Sequence, residues 1–294
     1  MSSTHTPSAR TPFRHHLLDR PAVRAAGRTP YLLSIGLAAA TLASAVPSLF
    51  FPGLLSGEAV LRGNLRGTAL VMLALGLPLL VVGMVRAAHN SVRWLVVWLG
   101  AVAYLTYQGV MFLFGTPFNS LFLAYVALLG FGIWTSVVLL HDVQLRGFEA
   151  RTSPRMPARF IGAVLMTMAT LNAAAWLVRI VPTIGSDHPA SVLAGSGLLT
   201  SPGWVQDLAF WIPASLLAGV LAWRRRPRGV LLTGALLVFF AIESLSVASD
   251  QWWGVQADDS QPDWASMAAV PMFLGIAVLT ALPLVWFFRN LDRR

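Results

Sequence analysis

Residues Tyr104–Leu140 read YLTYQGVMFLFGTPFNSLFLAYVALLGFGIWTSVVLL, with no Lys, Arg, Asp or Glu among them. Two apolar runs flank Gly115-Thr116-Pro117. Gly and Pro are the strongest helix punctuators, and Pro117 suits the first turn of a new helix. A charge-free hairpin of this length cannot face water. In a bilayer, where every backbone polar group must be satisfied internally, it forms two spanning helices.

Outward from this hairpin the whole chain has the same character. Its 294 residues are 56% hydrophobic and only 11% charged, with a mean hydropathy of +0.67. Soluble domains carry about a quarter charged residues, so the deficit is what repeated bilayer spans produce. There is no cysteine, which excludes disulfides, thiolate metal sites, iron–sulfur clusters and cysteine nucleophiles. All 21 basic residues are Arg, so no lysine can form a Schiff base with retinal or pyridoxal phosphate. The net charge of +9 lies in segments between apolar runs, the pattern of topogenic charge and not of a nucleic-acid surface.

The segment FGTPFNSLFLAYVALLGF, with Tyr104 and Tyr107 before it, resembles an uncharacterised family of bacterial multi-span membrane proteins. The similarity extends over the preceding span and, more faintly, to IPASLLAGVLAWRRRPRG from Ile212. The resemblance implies a helical fold in a bacterial plasma membrane. It carries no activity and no catalytic or binding residue onto this chain.

Residues 1–29 are polar and basic and read as a disordered cytoplasmic tail, with His15 and His16 solvated. Spans are expected at about Tyr31–Phe51, Thr68–Val85, Trp94–Phe114, Phe118–Leu140, Phe160–Val181, Trp204–Trp223, Gly229–Ser249 and Ala265–Phe288. They form one helical domain over residues 30–289, with a short end at 290–294. Ala43-Ser44-Ala45 mimics a signal-peptidase site, but the basic stretch before it is too long for a signal peptide, so span one reads as a retained anchor. Arg62, Asn64 and Arg66 are placed in an external loop, and Pro78 and Pro213 within spans. Eight spans put all but three of the 21 arginines (Arg62, Arg66 and Arg179) on one side, hence both termini inside. The expected fold is an all-α polytopic bundle whose partners are the bilayer and anionic headgroups at its Arg-rich face.

An ionisable side chain within a span is a functional candidate, because burying it in hydrocarbon costs several kcal/mol. Helical rise puts Asn172 and Glu243 roughly 20 Å from the inner ends of spans five and seven, and Tyr107 and Gln108 of span three at a similar level. Arg179 and Asp250 each follow seven residues later, on the same faces. Asn119 and Tyr125 enter from the outer side on span four, and Gln206 and Asp207 on span six. Together these residues predict a polar layer in the outer half of the membrane. Glu243, the deepest acid, needs a counter-charge or a proton, and Arg179 is the basic residue nearest its level. The expectation is therefore a Glu243–Arg179 or Asp207–Arg179 pair bounding an outward-open pocket, capped by Trp252, Trp253 and Trp264. Ser34, Thr41 and Ser48, spaced by seven, predict a close-packed seam on span one.

The same polar residues also read as interhelical hydrogen-bond glue, Arg179 as a snorkelling residue and the tryptophans as an interfacial belt. The loop ADDSQPD lacks the glycine and terminal Glu of an EF-hand and reads as solvated. His89, His141 and His188 share no helix face within the membrane, so neither haem nor a metal is expected, no cofactor is implied, and there is no Walker loop, HExxH or GxSxG. Three functions stay open. One is a small-molecule transporter or binding protein using Glu243, Arg179, Asp207, Asn172, Tyr107, Gln108 and Asn119, although no inverted internal repeat is visible. Another is an assembly subunit of a membrane complex. The third, a membrane enzyme on a lipid-linked substrate, rests on Asp207 with Glu243 alone.

Overall fold

The computed structural model describes residues 27–185, 193, 198–260 and 265–292. The expected tail disorder, Asp187, His188, Asp263, Trp264 and the last two arginines lie outside these residues. Nine helices are named here: α1 (Thr29–Phe50), α2 (Ala59–Ala88), α3 (Val92–Phe114), α4 (Phe122–Asp142), α5 (Leu145–Ala150), α6 (Ala158–Ile180), α7 (Pro202–Trp223), α8 (Pro227–Ala257) and α9 (Ala269–Arg289). All but the short α5 are long and apolar enough to cross a membrane, eight in total among the described residues. No strand forms there, only an isolated antiparallel bridge between Thr152 and Leu291.

The helices alternate in direction. Asp292, beyond α9, accepts hydrogen bonds from Ser91 Oγ and from the backbone N–H of Val92 and Arg93, and so caps α3. The Arg93 guanidinium donates to the Leu291 carbonyl at 2.7 Å, and the Ser153 N–H donates to the Asn290 carbonyl. The α2–α3 turn, the α4–α6 segment and the C-terminal end thus gather at one end of the bundle, the Arg-rich end.

α3 and α8 form the centre. Trp98, Tyr104, Leu105 and Phe112 of α3 and Leu237 and Phe239 of α8 are almost wholly buried. α1, α2 and α4 surround α3, while α7 and α9 flank α8 and α6 lies outside α7. The outer helices turn Leu32, Trp134, Val178 and Leu279 outward, as a surface facing lipid tails requires. The seam on α1 forms as expected: Ser34, Thr41 and Ser48 are buried, and the Ser34 hydroxyl accepts from the Trp98 indole N–H at 3.0 Å.

Several boundaries differ from the sequence reading, among them the end of α8, which runs to Ala257 instead of Ser249, and the start of α9 at Ala269 instead of Ala265. Pro117 does not start α4, which begins at Phe122; Gly115–Leu121 form a turn held by Asn119. The expected external loop before span two is mostly helix, because α2 starts at Ala59 and carries Arg62, Asn64 and Arg66. Its first turns are stabilised by close packing on α8, through glycines. A Cβ on Gly67 would lie 2.5 Å from the Ser249 carbonyl oxygen, and one on Gly63 equally close to that of Trp253. The Ser249 hydroxyl donates to the Gly67 carbonyl, and the Arg66 guanidinium lies 4.6 Å from the Trp253 ring centre. Pro78 and Pro213 each follow a five-residue π turn, Met72–Gly76 and Asp207–Trp211. A wider turn here accommodates a proline that has no N–H to give and would clash with the preceding turn.

Candidate functional site

Four helices bring polar side chains to one level. On α8, Glu243 Oε2 accepts from Gln108 Nε2 of α3 at 2.6 Å. One turn before Gln108, the Tyr104 hydroxyl donates to Ser246 Oγ of α8 at 3.1 Å. On α7, Asp207 opens the π turn and accepts from two donors of α6, Trp176 Nε1 at 2.8 Å and Asn172 Nδ2 at 3.1 Å. The Tyr107 hydroxyl is directed at the same carboxyl. Gln206 accepts from the Trp211 indole N–H at 3.1 Å, and its amide approaches the Tyr107 carbonyl at 3.5 Å. Tyr107 and Gln108, adjacent on α3, therefore connect the Asp207 and Glu243 clusters.

Local helix geometry explains the convergence. Asn172 and Trp176 are four residues apart and so share the face of α6 that packs on α7. A π turn is common at functional sites, and here it sits where Asp207 leaves the regular helical face. The aromatic rings of Tyr107, Trp211 and Phe239 pack together, with Trp211 stacked on Phe239 at 4.7 Å, and wall the polar layer off from the Arg-rich half.

Among the described residues, the hydrogen-bond partners of the three acids within spans are neutral. Asp207 has Asn172 and Trp176, Glu243 has Gln108, and Asp250 has Gln251 at 3.1 Å. Arg179 pairs with none of them, contrary to the expected Glu243–Arg179 or Asp207–Arg179 bridge. It is exposed on the last turn of α6, its guanidinium 5.8 Å from the Trp176 ring centre. An indole N–H thus takes the role expected of the guanidinium, and burying a neutral donor avoids the desolvation cost of a cation.

Asn119 also lies apart from the layer. Its amide donates to Thr116 Oγ1 and the Pro117 carbonyl, and its carbonyl accepts from the Leu121 N–H, so it organises the α3–α4 turn. The expected aromatic cap differs too. Trp252 and Trp253 belong to the last turns of α8, Trp253 against Arg66 and Trp252 turned outward. Farther out, Asp258 accepts from the Ser260 N–H and hydroxyl, and these bonds hold its exposed carboxyl below the usual range.

A cavity of about 300 Å³ lies at the Arg-rich end between Glu149, Thr152, Ser153 and Arg225, and one of about 120 Å³ lies under the α3–α4 turn. Neither is lined by Glu243 or Asp207. The polar layer is packed on itself, with Asp207 and Gln108 buried while Glu243 and Asn172 keep partial access. Trp176, Tyr104 and Ser246 are members that the sequence reading missed. Each stands three or four residues from a residue it named, on the same helical face, which is the signal that could have found them. Compared with models of known protein families, with curated proteins and with solved structures, the chain matches none.

Proposed function

We propose that this multi-pass membrane protein binds a small polar solute, and carries it, at the layer where α3, α6, α7 and α8 meet. The observation that supports this most is that, among the described residues, Asp207 and Glu243, acids within spans, take their hydrogen bonds from neutral side chains. Ionisable groups in a bilayer are costly and concentrate where solutes or ions pass. Neutral amide and indole donors satisfy the carboxyls while the layer is closed. A solute offering its own N–H or O–H groups can replace those donors without breaking an ion pair.

The test uses purified protein in proteoliposomes that enclose a pH-sensitive dye, screened against small polar solutes. Glu243→Gln and Asp207→Asn are expected to purify and insert like the parent and to lose any solute-dependent signal. A signal unchanged in both variants overturns the reading. Full tolerance together with stoichiometric co-purifying subunits would favour an assembly role instead.

A further inference from the structure

Landmarks along the chain recur at one spacing. The π turn Met72–Gly76 with Pro78 recurs as Asp207–Trp211 with Pro213, 135 residues on, which is also the separation of Gln108 from Glu243. At that spacing Asn90 and Arg225, both left-handed with φ of 63° and 56°, follow α2 and α7. Val92 and Pro227 begin α3 and α8, Arg93 corresponds to Arg228, and Val46-Pro47-Ser48 to Val181-Pro182-Thr183. In α4 and α9, Leu129-Gly130 with Thr135 corresponds to Leu274-Gly275 with Thr280, both threonines fully buried. The spacing is longer there because α8 runs on to Ala257, past the point where α3 stops.

The crossing of α3 and α8 obeys the same relation. Where α3 and α8 cross, corresponding residues touch: Gln108 meets Glu243, and a Cβ on Gly100 would lie 2.7 Å from the Ala235 carbonyl oxygen. Away from the crossing one contact has an exchanged partner, although α2 packs on α8 far more extensively than α7 on α3, and α1 on α4 more than α6 on α9. Gly67 abuts Asp250, and its counterpart Pro202 abuts Gly115, the counterpart of Asp250. Corresponding residues touching along one line are what an approximate two-fold axis between α3 and α8 produces. Each unit has four spans, so both units point the same way and the axis runs along the bundle. A parallel repeat of this kind is compatible with solute sites at the repeat interface.

We propose that the chain is two copies of one four-helix unit joined in tandem and paired about this axis, and that residues 108 and 243 share a single binding position on it, whose carboxylate either copy can supply. Two carboxylates facing each other there would repel, so an acid in one copy and an amide in the other is the arrangement that closes the contact. The α6 and α7 part of the layer has no polar equivalent in the first copy at two of its three positions: Asn172, Trp176 and Asp207 correspond to Leu37, Thr41 and Met72, all buried. The duplication stands on geometry alone, while the use of the shared position rests on the solute reading above.

The test compares full-length parent, Glu243→Gln, and the exchanged variant Gln108→Glu with Glu243→Gln. Each is treated in proteoliposomes with dicyclohexylcarbodiimide, which reacts with carboxyls in apolar surroundings, and labelled peptides are resolved by mass spectrometry. The parent is expected to label at Glu243, the single variant to lose that label, and the exchanged variant to regain it at position 108 at the parental rate, with thermal stability restored. An exchanged variant that stays unlabelled at 108, or that unfolds while Glu243→Gln is stable, overturns the shared position. If the label moves as expected but solute-dependent signals are indifferent to every variant, the solute reading falls and the duplicated architecture stands.

Discussion

At the scale of single residues, the donors around Asp207 and Glu243 carry separable stability. Trp176→Phe keeps the ring against Trp204 and removes the 2.8 Å bond to Asp207. It is expected to cost about 1–3 kcal/mol, because it leaves a buried acceptor short of a donor. Tyr104→Phe, which loses the bond to Ser246, should cost nearer to about 1 kcal/mol. Thermal unfolding in one detergent checks both, and equal melting temperatures for Trp176→Phe and parent would remove the indole from the Asp207 cluster. Glu243, Asp207 and Asn172 were legible as candidates because an acid or amide in an apolar run has no bland place to go. Their partners were less so. A seven-residue spacing keeps Arg179 within about 20° of the face of Asn172 but places it about 10 Å farther along α6, on the exposed last turn, out of reach of Asp207. Trp176 was overlooked because an aromatic residue near a membrane boundary looks like a belt residue until its N–H is seen to point inward.

At the scale of elements, the packing of α2 on α8 and the capping of α3 make two further predictions. Gly67→Val should push α2 away from α8, because the new Cβ would start 2.5 Å from a carbonyl oxygen on a backbone that cannot move aside. A loss of about 1–3 kcal/mol or more is expected, read as a lowered melting temperature and faster proteolysis near Arg62. Asp292→Ala removes the acceptor for three donors at the start of α3 and should cost about 1–2 kcal/mol. Asp292→Asn should recover most of that loss. All eight spans were legible from hydropathy alone, since each is an apolar run of spanning length. Their ends were not, because Ala59–Gly67 carries two arginines and an asparagine and reads as a loop. It is helical because Gly63 and Gly67 let α8 come close, and that is tertiary information. Pro117 shows the opposite error. Asn119 organises the turn with its own hydrogen bonds and delays the helix to Phe122.

At the scale of the whole molecule, the sequence lacks cysteine, so single cysteines can report sidedness. Arg225→Cys and Asp259→Cys are expected to react with a membrane-impermeant maleimide from opposite faces, Arg225→Cys from the cytoplasmic one. Labelling of both from the same face would break the eight-span arrangement. The tandem relation between the halves escaped the sequence reading because a search for inverted halves cannot find units of four spans, which keep their direction. What survives between the copies is backbone geometry, namely a π turn, a proline and a left-handed residue, more than side-chain identity. The helix lengths have a consequence of their own. The 21 residues of α4 and of α9 span about 31 Å, close to the hydrocarbon thickness of an average bilayer, whereas the 31 residues of α8 reach about 46 Å. The short outer pair therefore matches an average bilayer with little tilt to spare. The long pair, α2 and α8, packed on each other, exceeds that thickness and would extend beyond the hydrocarbon as a stiff post.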